Sequence, residues 1–370
     1  MQIACTKKLL DELGMGPSAP QDTSPLYTWR ANLIKINRRK TVVLVCEHNR
    51  FVVVLYGLKA RDFARLDEKI TEAMRHTLLK QQINPEVVER YIASAGPVSF
   101  VRNTGKSATA HLNHACRAAE FAARHIEKIS AYDDTLGAHA SHYPVGVTTE
   151  FGYPDVQMAE DLKQYGIEPI FQCTALELSV SLILDRETCN RKLIVPTNIT
   201  FFQLHKILQA AFEWQDYHLF DFKIYSNDLQ IYSHGIGQQD AVVVTLVCTE
   251  EDMEYNQNAR LMGRLTISEF MPRYRHLLYT YDFGDNWEHK IEVTGVLEKY
   301  GGACPACTAG EGNAPPEDVG GVYGFENFLD ILADPKHEQY GFTKTWGDSQ
   351  RYRDFDIDAI NRILRHVLSW

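Results

Sequence analysis

Long apolar runs are missing from this 370-residue sequence. No stretch approaches the ~18 apolar residues of a membrane-spanning helix, so a transmembrane protein is not expected. The opening Met-Gln-Ile-Ala-Cys-Thr-Lys-Lys-Leu-Leu has no apolar core followed by a cleavage site, so no signal peptide is expected and the cytoplasm is the default location. Excess positive charge is missing too. With 38 Lys and Arg against 48 Asp and Glu, the formal charge is −10. That disfavours extensive nonspecific nucleic-acid binding, which depends on basic side chains neutralising phosphates. Lys35, Arg38, Arg39 and Lys40 form a local basic patch that reads as a solvated hairpin turn. The eight cysteines are few and scattered, the pattern of free thiols rather than of a disulfide framework. A complete phosphate loop is also lacking: in Asn103-Thr-Gly105-Lys106-Ser107 the position of the first required glycine is Phe100, so the cradle of backbone N–H groups is incomplete. There is no nucleophile motif, internal repeat or low-complexity tract.

What is present is an ordinary globular composition, 45% hydrophobic and 23% charged, long enough for two or three domains. The element pattern predicts an α+β fold with two domains, each an antiparallel sheet packed against helices. Residues 1–131 form the first. Leu26 to Ile36, Thr41 to Cys46 and Phe51 to Tyr56 are rich in β-branched and aromatic residues and predict a meander. Helices are expected from Phe63 to Lys80, from Asn84-Pro85-Glu86 to a stop at Gly96, and from Ser107 to Ile129. Residues 132–170 read as a linker with one short helix at most. Residues 171–370 form the second domain, with strands at Ala175 to Leu184, Leu219 to Tyr225 and Ala241 to Cys248. Thr200-Phe201-Phe202-Gln203 is a capping box opening an amphipathic helix. A helix from Phe325 to Ala333 and another after Asp356 are expected near the end.

The densest chemistry lies in Tyr279-Thr-Tyr-Asp282-Phe-Gly284-Asp285-Asn286-Trp287-Glu288-His289. Period-two alternation on both sides predicts a β-hairpin. A three-residue loop, Gly284 to Asn286, puts Phe283 opposite Trp287, Tyr281 opposite His289 and Tyr279 opposite Ile291, collecting one aromatic face. Asp282 then stands opposite Glu288 on the polar face, and like charges there cost a few tenths to ~1 kcal/mol. A basic neighbour, solvation, a shared proton or a bound cation would offset that cost. His289 on the aromatic face reads as a hydrogen-bonded core histidine, with catalysis as the sharper alternative, and Asp285 as the residue that caps its own turn.

Other groups are weaker. Cys304-Pro-Ala-Cys307 has the spacing of half a zinc knuckle, but no second pair of cysteines follows; His337 or His289 would have to complete it. His111, His114 and Cys116 read as helix-surface polar residues, and His139 and His142 carry less weight still. His205, Trp214 and His218 flank a helix-to-strand connection, and His205 and His218 are the weak histidine candidates for a metal. Glu317 and Asp318 follow a Pro-Pro segment and are expected to brace a loop by accepting backbone N–H bonds.

Several strings together resemble a known family. Val195-Pro196 with Thr200-Phe201, Leu204-His205, Leu208-Gln209-Ala210-Ala211-Phe212-Glu213-Trp214, Tyr217-His218-Leu219 and Phe222 resemble the first half of the plasmid pRiA ORF-three-like family, which includes TnpR-like passenger proteins of insertion elements. The hairpin string and Pro315-Pro316-Glu317-Asp318-Val319-Gly320-Gly321 resemble its second half, so the resemblance covers about 171–370. The family's Pro-Pro-x-Trp-Arg string is replaced here by Arg186 to Lys192, with Arg191 as the loose match, and Ala314 stands where a cysteine often precedes Pro-Pro-Glu-Asp. Cys5-Thr6-Lys7-Lys8-Leu9 and Trp29-Arg30-Ala31-Asn32-Leu33 resemble a small bacterial domain of unknown function. The resemblance makes it reasonable that His205, His218 and Trp214 face the Asp282 hairpin, but it supplies no accepted mechanism.

These readings converge on an intracellular binding or regulatory module, associated with mobile elements through the resemblance, with Trp214, His218, Trp287, Glu317 and Asp318 as binding residues and an unidentified protein or small ligand as partner. No cofactor is indicated, although the acids and histidines would admit a divalent metal. The alternative is a metal-dependent hydrolase or nuclease using Asp282, Asp285, Glu288 and His289.

Overall fold

The computed structural model describes residues 1–370 except 15, 105, 126–134, 144, 148–149, 227–230, 233–234, 237–241, 255–257, 264, 303 and 369–370. The chain divides into two compact units, residues 1–172 and 173–368. The fold class is α+β, as the sequence pattern indicates.

The N-terminal unit contains β1 (Gln2–Cys5), α1 (Lys7–Leu13), β2 (Thr28–Ile36), β3 (Arg39–Cys46), β4 (Val52–Leu58), α2 (Ala60–Phe63), α3 (Leu66–Lys80) and α4 (Pro85–Ala95). It continues with β5 (Ser99–Arg102), α5 (Lys106–His125), α6 (Thr135–Ser141), β6 (Val145–Val147), β7 (Glu150–Gly152) and α7 (Pro154–Leu162). The expected meander is present as β2, β3 and β4, in a sheet of order β4-β3-β2-β1-β5. The sheet is mixed rather than antiparallel throughout, because β1 runs parallel to both β2 and β5. These two four-residue strands are too short to show a period, and the sequence pattern gave no sign of them.

The near-continuous apolar run of β3 and β4 follows from burial on both faces. Val42, Leu44, Val53 and Leu55 pack with Leu66, Ile70, Met74, Val87 and Tyr91 of α3 and α4. Val43, Val45, Val52 and Val54 pack on the other side with Ala115, Ala118, Ala119 and Ala122 of α5. Asn84 caps α4 by accepting from the Glu86 N–H at 3.0 Å, and Gly96 ends it at φ 64°. The linker reading of 132–170 needs correction. Leu136 and Ala140 of α6 belong to one core layer, and Met158, Ala159, Leu162 and Ile170 to the other. These helices are short and broken by Gly, Pro and His, so their apolar residues never accumulate into a recognisable period. The expected helical stretch 126–129 and the first residues of the expected linker lie outside the described residues.

The C-terminal unit contains β8 (Cys173–Leu182), β9 (Cys189–Pro196), α8 (Phe201–Ala211), β10 (Phe220–Tyr225), β11 (Ile231–Tyr232), β12 (Gly235–Ile236), β13 (Val242–Val247), α9 (Glu250–Met253) and β14 (Ala259–Leu261). It ends with β15 (His276–Tyr281), β16 (Trp287–Tyr300), β17 (Ala306–Glu311), α10 (Gly321–Ala333), α11 (Tyr340–Ser349) and α12 (Ile357–Val367). Eight strands form one sheet of order β14-β13-β10-β15-β16-β8-β9-β17. It too is mixed, since β13 and β14 are parallel. The capping box of α8 is made in both directions, Gln203 N–H to Thr200 Oγ1 at 3.2 Å and Thr200 N–H to Gln203 Oε1 at 3.0 Å. Phe201, Leu204 and Leu208 of α8, Ile360 and Leu364 of α12, and Phe325 and Phe328 of α10 share one core with the aromatic face of β15 and β16. No helix among the described residues is long and apolar enough to cross a membrane.

One buried cation organises the far edge of this sheet. Arg191 of β9 is 1% exposed. Its guanidinium donates to the carbonyls of Ala211 (2.9 Å), Asn190 (2.8 Å), Glu311 (2.9 Å) and Gly312 (3.1 Å). It also lies 4.3 Å from the Phe355 ring centre and 5.1 Å from that of Phe212. Carbonyl dipoles and ring faces thus replace the water that a buried charge would otherwise demand. Gly312 has to be glycine: at φ 72° an added Cβ would sit 1.6 Å from the Thr188 carbonyl oxygen. Arg191→Met removes the donors and strands these carbonyls, so a loss of about 3–5 kcal/mol is expected in urea denaturation. Arg191→Lys should recover only part of it, because an ammonium cannot span the same carbonyls. An unchanged midpoint in both variants would refute this role.

Candidate functional site

The β15–β16 hairpin is built differently from the register that alternation suggests. Tyr281 pairs with Trp287, Thr280 with Glu288, Tyr279 with His289 and Leu277 with Ile291. The loop therefore spans the five residues 282–286. Asp282 leaves the strand at φ 56°, and Asn286 takes φ 54°. The Asp282 N–H turns away to the Leu219 carbonyl at 2.9 Å, its carbonyl accepts from Asn286 N–H at 2.6 Å, and its Oδ1 accepts from Gly284 N–H at 2.9 Å. Asp282, not Asp285, caps the turn. The displacement is two residues, and side chains alternate with a period of two, so the aromatic face of Tyr279, Tyr281, Trp287, His289 and Ile291 survives. Phe283 does not join it and stands on the loop, 48% exposed.

The expected opposition of Asp282 and Glu288 is consequently absent, and with it the carboxylate pair on which the hydrolase reading rested. Glu288 lies on the outer face beside Thr280, whose other neighbour is Asp221. Burial pushes both carboxyls up, with the Lys223 ammonium pulling them back.

A different set of acids converges. Trp214 follows the end of α8, stacks on Tyr281 with ring centres 4.9 Å apart, and donates its indole N–H to the Pro315 carbonyl at 2.8 Å. That bond fastens the Pro-Pro-Glu-Asp segment to the hairpin. Glu317, 3% exposed, accepts from Gln215 N–H at 2.7 Å and from the Tyr281 hydroxyl at 3.0 Å. The Tyr281 hydroxyl in turn accepts from Tyr217 N–H at 3.0 Å. Burial raises the Glu317 carboxyl above its usual range, against the pull of these donors. Glu317 thus braces the loop as expected, with a tyrosine hydroxyl that the sequence did not suggest as second donor.

His218 sits where these segments meet. Its Nε2 lies 3.2 Å from Asp318 Oδ1, 3.6 Å from Asp282 Oδ2 and 3.7 Å from Glu317 Oε2, and it is buried without a hydrogen-bond partner. Among the described residues these three carboxylates have no ion-pair partner besides His218. One ligand atom each from His218, Asp282 and Asp318 lies within 4.8 Å of the others. Asp285 holds the assembly from the hairpin tip, accepting from Gly320 N–H at 3.1 Å. Gly321 packs so closely there that an added Cβ would meet the Asp285 carbonyl oxygen at 2.9 Å.

The remaining candidates fall elsewhere. His205 is fully buried on the inner face of α8, with Nδ1 2.8 Å from the Tyr279 hydroxyl and Nε2 2.7 Å from Asp216 Oδ1, an internal network separate from His218. Trp287 is a buried member of the aromatic face. His289 is buried too, its Nδ1 3.3 Å from the Tyr279 carbonyl and 3.2 Å from that of Trp287. Cys304 and Cys307 have separate partners: Cys307 Sγ donates to Ala309 O at 3.4 Å, whereas Cys304 Sγ donates to Ile194 O at 3.9 Å. Sequence reasoning missed Tyr281 as the hydroxyl that joins three segments. The absence of Phe283 from the aromatic face was the signal available only once the loop length was known.

Comparison with known proteins divides the chain at nearly the same place. Residues 174–363 match the profile of the plasmid pRiA4b ORF-3-like proteins, and residues 2–157 match a domain of unknown function, DUF6933. An uncharacterised protein of Sinorhizobium fredii, y4hQ, is 31% identical over 190 residues, which is 51% of this chain and 87% of that protein. A crystal structure of a protein of unknown function from Methanosarcina mazei Go1 is 32% identical, with a TM-score of 0.42, covering 51% of this chain and 97% of that one.

The buried His289 carries a pH signature. Burial lowers its pKa from 6.5 to about 3. Above pH ~6.5 folded and unfolded chains are both neutral at this site; as the pH falls below that, the unfolded chain binds a proton that the folded chain refuses, and stability is lost. Between pH 7 and pH 5 the wild type should lose about 2 kcal/mol more than His289→Gln in chemical denaturation. Equal losses in the two proteins would show that His289 is not held neutral.

Proposed function

Since this chain belongs, through residues 174–363, to the plasmid pRiA4b ORF-3-like family, we propose that it is an intracellular binding module whose C-terminal unit holds a divalent cation at His218, Asp282 and Asp318. The observation that carries this reading is the spacing of the donors. Ligands ~2.0–2.2 Å from a tetrahedral ion lie about 3.3–3.6 Å apart. His218 Nε2 is 3.2 Å from Asp318 Oδ1 and 3.6 Å from Asp282 Oδ2. Glu317 Oε2, at 3.7 Å, stands ready as a further oxygen or as the support that orients the imidazole.

Electrostatics points the same way. Three carboxylates around one imidazole leave surplus negative charge that a divalent ion would neutralise, and a nitrogen with carboxylate oxygens suits ions such as zinc or manganese. Asp318 and His218 are partly exposed, which gives an ion a way in. Exposed Tyr217, Leu219 and Phe283 belong to the same two chain segments as His218 and Asp282, and offer apolar surface on which a ligand or partner of the bound ion would rest. An association with mobile elements is supported by the family description.

Metal loading tests the reading. After incubation with excess zinc or manganese and gel filtration, elemental analysis should give about one ion per chain, and calorimetry should show His218→Ala and Asp318→Asn each weakening binding at least ~10-fold. Metal content that is negligible in the wild type, or equal in all three proteins, would rule the site out.

A further inference from the structure

The helices α10 and α11 meet around one aromatic ring. Phe328 of α10 is buried, and its ring stands edge-on to Trp346 of α11 and to Tyr352 beyond it, with centres 5.7 and 5.0 Å apart. The close approach requires Gly347, where an added Cβ would lie 2.8 Å from Phe328 Cζ. Beside this contact the helices part and leave a cleft of about 230 Å³.

The cleft has an apolar wall and a charged rim. Phe328 and Leu332, one turn apart on α10, form the wall together with Tyr340 and Tyr352. Lys344 and Asp348, one turn apart on α11, line the other side. Leu332, Tyr340 and Tyr352 are half-buried while Lys344 and Asp348 are exposed, so the cleft is reached from solvent. Among the described residues neither Lys344 nor Asp348 is engaged in an ion pair, with the other or with a third residue. A lysine four residues before an acid is also the less favourable order for pairing along a helix. Both charges therefore remain available to a ligand.

We propose that this cleft binds a free aromatic α-amino acid. The ligand's carboxylate meets the Lys344 ammonium, its α-ammonium meets the Asp348 carboxylate, and its ring rests on Phe328, Leu332 and Tyr340. Three features select this class. Sites for drug-sized molecules hold roughly 300–1,000 Å³, so the smaller cleft suits a ligand of amino-acid size. One rim charge of each sign matches a zwitterion, whereas a ligand with a single charge would leave one of the two unmet. Aromatic side chains in the wall favour a ring, which gains from edge and offset contacts beyond its buried area. The cleft shares no residue with the proposed cation site and does not depend on it.

The test titrates the full chain, in buffer containing EDTA, with L-phenylalanine, with L-phenylalaninamide, which lacks the carboxylate, and with 3-phenylpropionate, which lacks the ammonium. Calorimetry is read alongside tryptophan fluorescence, to which Trp346 beside the cleft contributes. L-Phenylalanine should bind with a dissociation constant of about 1 mM or tighter, and each analogue about fivefold more weakly, the scale of one exposed ion pair. Lys344→Ala should remove the preference for L-phenylalanine over its amide, and Asp348→Asn the preference over 3-phenylpropionate. Both positions are exposed, so the variants should fold, which circular dichroism verifies. Absence of binding to the wild type at ~10 mM L-phenylalanine, equal affinity for the three probes, or both preferences unchanged in the variants would each overturn the proposal.

Discussion

A carboxylate removed from water has to be met by donors, and the C-terminal unit is arranged around one such demand. Glu317 is almost wholly buried, and its oxygens are satisfied by the Gln215 N–H and the Tyr281 hydroxyl. Those donors come from the turn after α8 and from β15, so satisfying one side chain brings three distant segments together. The Trp214 indole adds a second tie to the same loop through Pro315. With the loop held, Asp318 and Asp282 stand around His218. A structural carboxylate thereby creates the concentration of negative charge from which the proposed cation site follows.

Toward the β17 edge of the same sheet the inverse solution is used. Arg191 is a buried cation met by backbone carbonyls and aromatic faces, with no carboxylate among its hydrogen-bond partners. Its partners lie at the end of α8 and the end of β17, so it too joins segments that the chain order separates. Both devices exploit the cost of an unmet buried polar group, which exceeds the small net gain of an average hydrogen bond. The helix α8 lies between them, its last carbonyl held by Arg191 and the turn after it held by Glu317.

Much of this was legible in the residues. The capping box at Thr200, the cap at Asn84 and the stop at Gly96 act locally, within three or four residues, and each is found where its residue types indicate. The aromatic face of the hairpin was legible as well, because parity depends only on alternation. The loop length was not. It turned on Asp282 leaving the strand in a left-handed conformation, held by the Leu219 carbonyl more than sixty positions away in sequence, and no local pattern announces such a partner. Short strands such as β1 and β5, and the helices between 132 and 170, escaped notice because each supplies too few apolar residues to display a period.

The sequence alone determined the α+β class, the two-part division, the family of the second part and the short list of residues from which the proposed site is drawn, since these depend on composition, periodicity and contiguous strings. Only the tertiary structure decided which members of that list meet. It moved Glu288 to the outer face and His205 into an internal network, brought Asp282, Glu317 and Asp318 around His218, and gave Cys304 and Cys307 separate backbone partners. The physical reason is the same in each case: a side chain's partners are set by strand register and by the satisfaction of buried polar groups, and both are properties of segments that become neighbours only when the chain has folded.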